Sequence, residues 1–206
     1  VLTGFTAALL LITVSELGDK TFFIAVILAM RNSRVLVFTG VIAALAAMTI
    51  LSVVVGHAVS ALPKVYIHFA EIALFFAFGI KLLFDASRMP ASSCDAEVVH
   101  EAEAAVKQRD LKQPKNKNAL AILTEAFVLT FMAEWGDRTQ IATIALAAGN
   151  NAIGVTAGAI LGHAICAAIA VIGGRMLAGR ISERTLTFFG GFLFLVFGVV
   201  AAIEGA

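Results

Sequence analysis

Apolar stretches run along the chain near 2–30, 35–60, 66–86, 119–148, 152–173 and 186–204, parted by short polar connections such as RNSR at 31–34 and AGNNA at 148–152. A helix needs about 20 apolar residues to cross the roughly 30 Å hydrocarbon core of a bilayer. The pattern therefore predicts an all-α, polytopic membrane protein with six transmembrane helices. Residues 87–118 break the alternation: they hold six Lys or Arg and five Asp or Glu, a composition no bilayer core accepts. They form an extramembrane loop in which AEVVHEAEAAVKQ, 96–108, predicts a short surface helix, since Ala, Glu and Lys favour helix. The first apolar run lacks a basic leader and resumes straight after a charged interruption, so it is expected to belong to the mature protein.

The loop separates two matching halves, 1–86 and 119–206. Shifting the first by 118 residues places Glu16, Gly18, Asp19 and Thr21 on Glu134, Gly136, Asp137 and Thr139, Lys20 on Arg138, Gly40 on Gly158 and Gly56 on Gly174. With one residue inserted, Phe78-Gly79 falls on Phe197-Gly198 and Asp85 on Glu204. Three spans per repeat is an odd number, so the halves are expected to sit in opposite orientations, with a site near the midplane where they meet. Twelve of the Lys and Arg residues fall on the side of the 87–118 loop and only Lys64 on the other. The positive-inside rule then makes that loop cytoplasmic and both termini external.

Composition fits this picture. The chain is 60% hydrophobic and 14% charged, against about 25% charged in an ordinary soluble domain. A net charge of +1 points to no nucleic-acid partner. Cys94 and Cys166 make neither a disulfide framework nor a metal-type pair, and no P-loop or HExxH motif is present.

The chemistry lies in the two interruptions, SELGDKT at 15–21 and AEWGDRTQ at 133–140. Both fall near the middle of an apolar stretch, where an isolated charge costs at least about 2.5–3.5 kcal/mol. Four acids and two bases leave a surplus of two negative charges, which a divalent cation neutralises. Glu and Asp at i, i+3 are expected on one helical face, converging on one ion. Lys20 and Arg138 trim the charge from beside the site. Gly18 and Gly136 permit a break that frees backbone carbonyls, and Ser15, Thr21, Thr139 and Gln140 add neutral oxygens. Such a donor set suits hard cations, Mn²⁺, Ca²⁺ or Mg²⁺. Carboxylates packed so closely titrate as a coupled set, which gives a physical basis for exchanging metal against protons. A purely structural network of ion pairs is the competing reading; two symmetric copies with excess negative charge weigh against it.

Other positions carry less. Gly154, Gly158 and Gly162 read as a packing stripe, and His163 beside it as a structural or gating residue. Glu125 either lines an entrance or snorkels to the interface, and Glu71 sits near the outer end of the third span. His100 with Glu97, Glu101 and Glu103 reads as a solvated face. Asp85 and Glu204 lie near span ends, where charge is cheap.

Taken with ELGDKT and EWGDRT, 16–21 and 134–139, the chain resembles the family of Golgi manganese/calcium–proton exchangers and bacterial MneA-type manganese exporters, grouped with the cation/calcium exchanger superfamily. The resemblance implies Glu16, Asp19, Glu134 and Asp137 as cation ligands and no cofactor beyond the transported ion. It further implies a non-enzymatic transporter in the inner (plasma) membrane that exports Mn²⁺ against protons, the compact chain looking bacterial. A Ca²⁺/H⁺ antiporter of the same architecture is the alternative. An intramembrane aspartyl protease using Asp19 and Asp137, and a passive cation channel, are further alternatives.

Overall fold

The computed structural model describes residues 1–89, 96–110, 118–177 and 183–204. Expectations for Cys94, Arg180 and the side chains of Glu97, Arg175 and Glu204 lie outside the described residues. Every regular element among the described residues is an α-helix: α1 (Leu2–Glu16), α2 (Lys20–Arg31), α3 (Arg34–Val59), α4 (Lys64–Arg88), α5 (Ala96–Asp110), α6 (Ala119–Glu134), α7 (Arg138–Gly149), α8 (Ala152–Leu177) and α9 (Glu183–Glu204).

The apolar stretches reappear with ends shifted by a few residues, but two of them are not continuous helices. Among the described residues, only α3, α4, α8 and α9 are each long and apolar enough to cross a bilayer, and α6 with α7 makes a fifth candidate bent by 74°. Helix α1, with 15 residues, is about 22 Å long and too short to span alone. Length and composition alone thus give four to five of the six expected spans, and the break that Gly18 and Gly136 are expected to permit is present in both halves. The cause is local and occurs twice. Leu17 (φ −64°, ψ 118°) is followed by Gly18 at φ 79°, and the Asp19 amide donates to the Glu16 carbonyl at 3.2 Å. These are the features of a type II turn, which needs positive φ at its third residue and so favours glycine there. Trp135 (φ −64°, ψ 112°), Gly136 at φ 81° and the Asp137 amide on the Glu134 carbonyl at 3.1 Å repeat it.

Packing follows the sequence repeat with the halves exchanged: α1 lies on α8, α6 lies on α3, and α4 lies on α9. A Cβ added at Gly40 would sit 2.7 Å from the Leu123 carbonyl of α6, and one at Gly158 would collide with the Phe5 carbonyl of α1. Positions 40 and 158, and 5 and 123, are each 118 apart, so one close backbone contact is made twice. Gly154 and Gly162 meet the backbone of α1 in the same way, as a packing stripe requires.

The outer faces are apolar: Phe69, Ile80 and Phe84 on α4 and Phe188, Phe189 and Ile203 on α9 are all more than half exposed. Inside lie Ser15, Glu16, Thr21, Glu71, Glu125, Glu134, Thr139 and His163. Apolar groups outward and polar groups inward suit lipid as the solvent, and the chain is a membrane protein. Helix α5 contains the expected 96–108 segment, but it is docked against α2. Its Ala102 and Val106 are fully buried, and with α5 in place every residue from Thr21 to Leu28 is buried. His100, Glu101 and Glu103 stay exposed on its other face, as a solvated surface requires.

Candidate cation site

Each letter of the interruption has a structural task. Glu16 and Glu134 are the last residues of α1 and α6, the glycine turns the chain, and Asp19 and Asp137 are the N-caps of α2 and α7. An N-cap carboxylate satisfies amides that have no partner within the helix and favours its positive end. Asp19 accepts from the Lys20 amide at 2.8 Å, and Asp137 from the Thr139 amide at 3.2 Å. Thr21 Oγ1 donates to Glu16 Oε2 at 3.1 Å, and Thr139 Oγ1 lies 3.4 Å from Glu134 Oε2 and 3.0 Å from Asp137 Oδ2. The expectation that Glu and Asp share one helical face is therefore corrected. The turn separates them, and its positive-φ glycine, with no helical hydrogen bonds across it, leads the second acid off the first helix.

The fold brings acids of both halves together. One carboxylate oxygen each from Glu16, Glu134 and Asp137 lies within 4.8 Å of the others. Oxygens bound at about 2.1–2.5 Å to a shared ion stand up to about 4–5 Å apart, so the trio is spaced for one divalent cation. Glu16 and Glu134 are buried, and Glu16 Oε1 has no hydrogen-bond partner.

Asp19 stands beside the trio, 3.5 Å from Arg138 Nη2, and Arg138 also donates to the Ser15 carbonyl at 3.4 Å. The two bases thus behave differently. Arg138 crosses from the second motif to the first, whereas Lys20 points away and pairs with Glu101 of α5 at 3.1 Å. A base held on Asp19 is not the arrangement of an aspartyl protease, in which two carboxyls share one proton. Gln140 uses its oxygen to accept from the Gly136 amide at 2.7 Å and its amide to reach Met48 Sδ at 3.1 Å. It holds the turn. Ser15 Oγ is buried without a partner.

Glu125 is fully buried on α6, so it does not snorkel to the interface. Glu71 packs against Gly149 at the end of α7, away from the trio. His163 lines a very small cavity with Glu16, Thr21 and Cys166, and its Nδ1 has no partner. Sequence reasoning missed Met48 and gave Cys166 no role. The 118-residue offset pairs them, and both sit beside the broken helices, Cys166 donating to the Thr13 carbonyl at 3.3 Å. It also undervalued Asp85, which lines a cleft of about 110 Å³ with Ser15, Asp19 and Arg138.

Comparison with known proteins identifies the family. The sequence matches the family described as "Divalent cation/proton antiporter GDT1" over residues 4–90 and 122–206, two segments that contain both motifs and leave out most of the loop. It is 60% identical over 200 residues to the GDT1-like protein sll0615 of Synechocystis sp., covering 97% of each chain. It is 43% identical to GDT1-like protein 3 of Oryza sativa subsp. indica, over 94% of this chain and 71% of that one. With the PAM71-homolog, chloroplastic, of Arabidopsis thaliana it shares 44% identity over 95% of this chain and 58% of the relative. No solved structure matches. The chain belongs to the GDT1 family of divalent cation/proton antiporters, which are transporters rather than enzymes.

Proposed function

We propose that the chain carries Mn²⁺ out of the cytoplasm in exchange for protons, with Glu16, Asp19, Glu134 and Asp137 as the cation-handling groups. The observation that carries this reading is the meeting of Glu16 with Glu134 and Asp137, acids from two halves of the chain, at one point inside an apolar body. With metal bound, the carboxylates stay ionised. Without it, their mutual repulsion and burial favour taking up protons. Each state is then close to neutral and able to face either side.

The architecture in this reading is two inverted repeats of three spans, the first span of each broken at the site. The exchanged contacts of Gly40 with α6 and Gly158 with α1 support it, as does the excess of Lys and Arg on the side of the 87–118 loop. The protein lies in the plasma membrane with that loop cytoplasmic. The choice of Mn²⁺ follows the resemblance to manganese exporters, since carboxylate oxygens suit Mn²⁺ and Ca²⁺ alike. Ca²⁺ is the second reading, because the trio itself offers only carboxylate oxygens.

The test is metal flux into proteoliposomes holding the purified full chain, with and without an imposed pH gradient, for Mn²⁺, Ca²⁺ and Mg²⁺. Gradient-driven Mn²⁺ movement that Glu134→Gln abolishes is the expected result. Movement indifferent to the gradient would point to a passive channel, and a preference for Ca²⁺ would reverse the order of the two readings.

A further inference from the structure

Asp85 is hard to explain as a helix-stabilising residue. It lies in the last turn of α4, where the helix macrodipole disfavours an acid. The nearby cation Arg88 stacks over the Phe84 ring at 4.0 Å, Lys81 is exposed, and no described cation is paired with Asp85. The half-buried carboxylate instead lines a cleft of about 110 Å³ that also holds Ser15, Asp19, Met89, Arg138 and Thr187. The cleft runs between the C-terminal end of α4, the N-terminal part of α9 and the break between α1 and α2. Ser15 Oγ, on a residue 6% exposed, lines the same cleft with no hydrogen-bond partner. Among the described residues, Asp85 and Asp19 are the acids of this cleft and Arg138 is its base.

We propose that Asp85 is the access carboxylate of the transporter, drawing a hydrated divalent cation into the cleft on the side of the 87–118 loop and passing it by Ser15 to Asp19 and the buried trio. The proposal rests on the cation-transport reading above. An acid in a narrow cleft with apolar walls, here Leu82 and Leu186, concentrates cations and speeds their capture. Arg138 bars the inner end of the cleft through its pair with Asp19. A cation arriving from Asp85 competes for Asp19 and loosens that pair, so the positive gate opens to the ion that replaces it.

The experiment uses full-length protein reconstituted in one orientation, with Mn²⁺ offered to one face at a time. Asp85→Asn should raise the Mn²⁺ concentration for half-maximal transport from the loop side by about 3–10-fold at low salt. The maximal rate should hold, the shift should shrink at high salt, and Asp85→Glu should restore the wild-type value. A shift of equal size from both faces, no shift from either, or loss of equilibrium Mn²⁺ binding in Asp85→Asn each overturns the access role. Equilibrium Mn²⁺ binding by Glu134→Gln, measured alongside, reports on the buried site separately. If that variant binds like wild type, the trio is not the cation site, whatever Asp85→Asn does.

Discussion

Gly18 and Gly136 hold nearly the same positive φ, 79° and 81°, but their surroundings differ. A Cβ at Gly136 would meet nothing within 4 Å, whereas one at Gly18 would sit 2.5 Å from Leu186 Cδ1 on α9. Gly136→Ala should therefore cost only the left-handed strain, about 1–2 kcal/mol. Gly18→Ala should cost that and a displacement of Leu186, and so be the less stable of the two in denaturant unfolding of purified protein in micelles. The threonines allow a second test. Thr21→Val and Thr139→Val keep the shape but remove hydroxyls that lie on Glu16 and Glu134. Each should weaken Mn²⁺ binding by about 3–10-fold, as expected for a net hydrogen-bond contribution of about 1 kcal/mol, with Ser in place of Thr restoring most of it. Sequence showed that these letters belong together, because they recur as a block. It did not show that Arg138 turns inward and Lys20 outward. The two cations occupy equivalent positions, and their directions are set by what the rest of the chain places around them.

Among the helices, the long apolar stretches were legible because a bilayer demands length and leaves little room for charge. The breaks were visible as permission, through glycine, but not as geometry: the 74° bend between α6 and α7 depends on a turn type that residue identity alone leaves open. Helix α5 shows the limit most clearly. Its inward stripe, Val99, Ala102 and Val106, is spaced about one turn apart but small and sparse among charges, so the periodicity is weak and the helix reads as solvent-borne. The exposed Lys20–Glu101 pair, with 39% and 58% of the side chains accessible, contributes little to docking. The fit of Ala102 and Val106 against α2 carries it. Ala102→Asp should release α5, seen as faster proteolysis within 96–110, because it places an unpaired charge at a fully buried position. Glu101→Gln should leave the cleavage rate close to wild type. The opposite ranking would mean that the ion pair, not the apolar stripe, holds the helix down.

Across the whole molecule, the halves use one another in the same way, α1 against α8 and α6 against α3. If that exchange is the working symmetry of the transporter, a disturbance on one side should have a counterpart of similar size on the other. Gly40 and Gly158 are the positions at which to ask. Each is a small residue against the backbone of the partner half, Gly40 against Leu123 and Gly158 against Phe5. Neither touches the carboxylates, so loss of function at either would act through helix packing. Adding a methyl group forces the helices apart, at a cost of about 1–3 kcal/mol for overpacking. Gly40→Ala and Gly158→Ala should thus lower unfolding stability by comparable amounts and slow Mn²⁺ flux in proteoliposomes while leaving equilibrium Mn²⁺ binding nearly intact. The two breaks need not follow suit, since α5 packs mainly on α2 and Arg138 crosses in only one direction. A large effect at Gly158 with none at Gly40 would show that the asymmetry of the breaks extends to the scaffold. The motion would then belong to one half moving against a fixed partner rather than to two halves exchanging places.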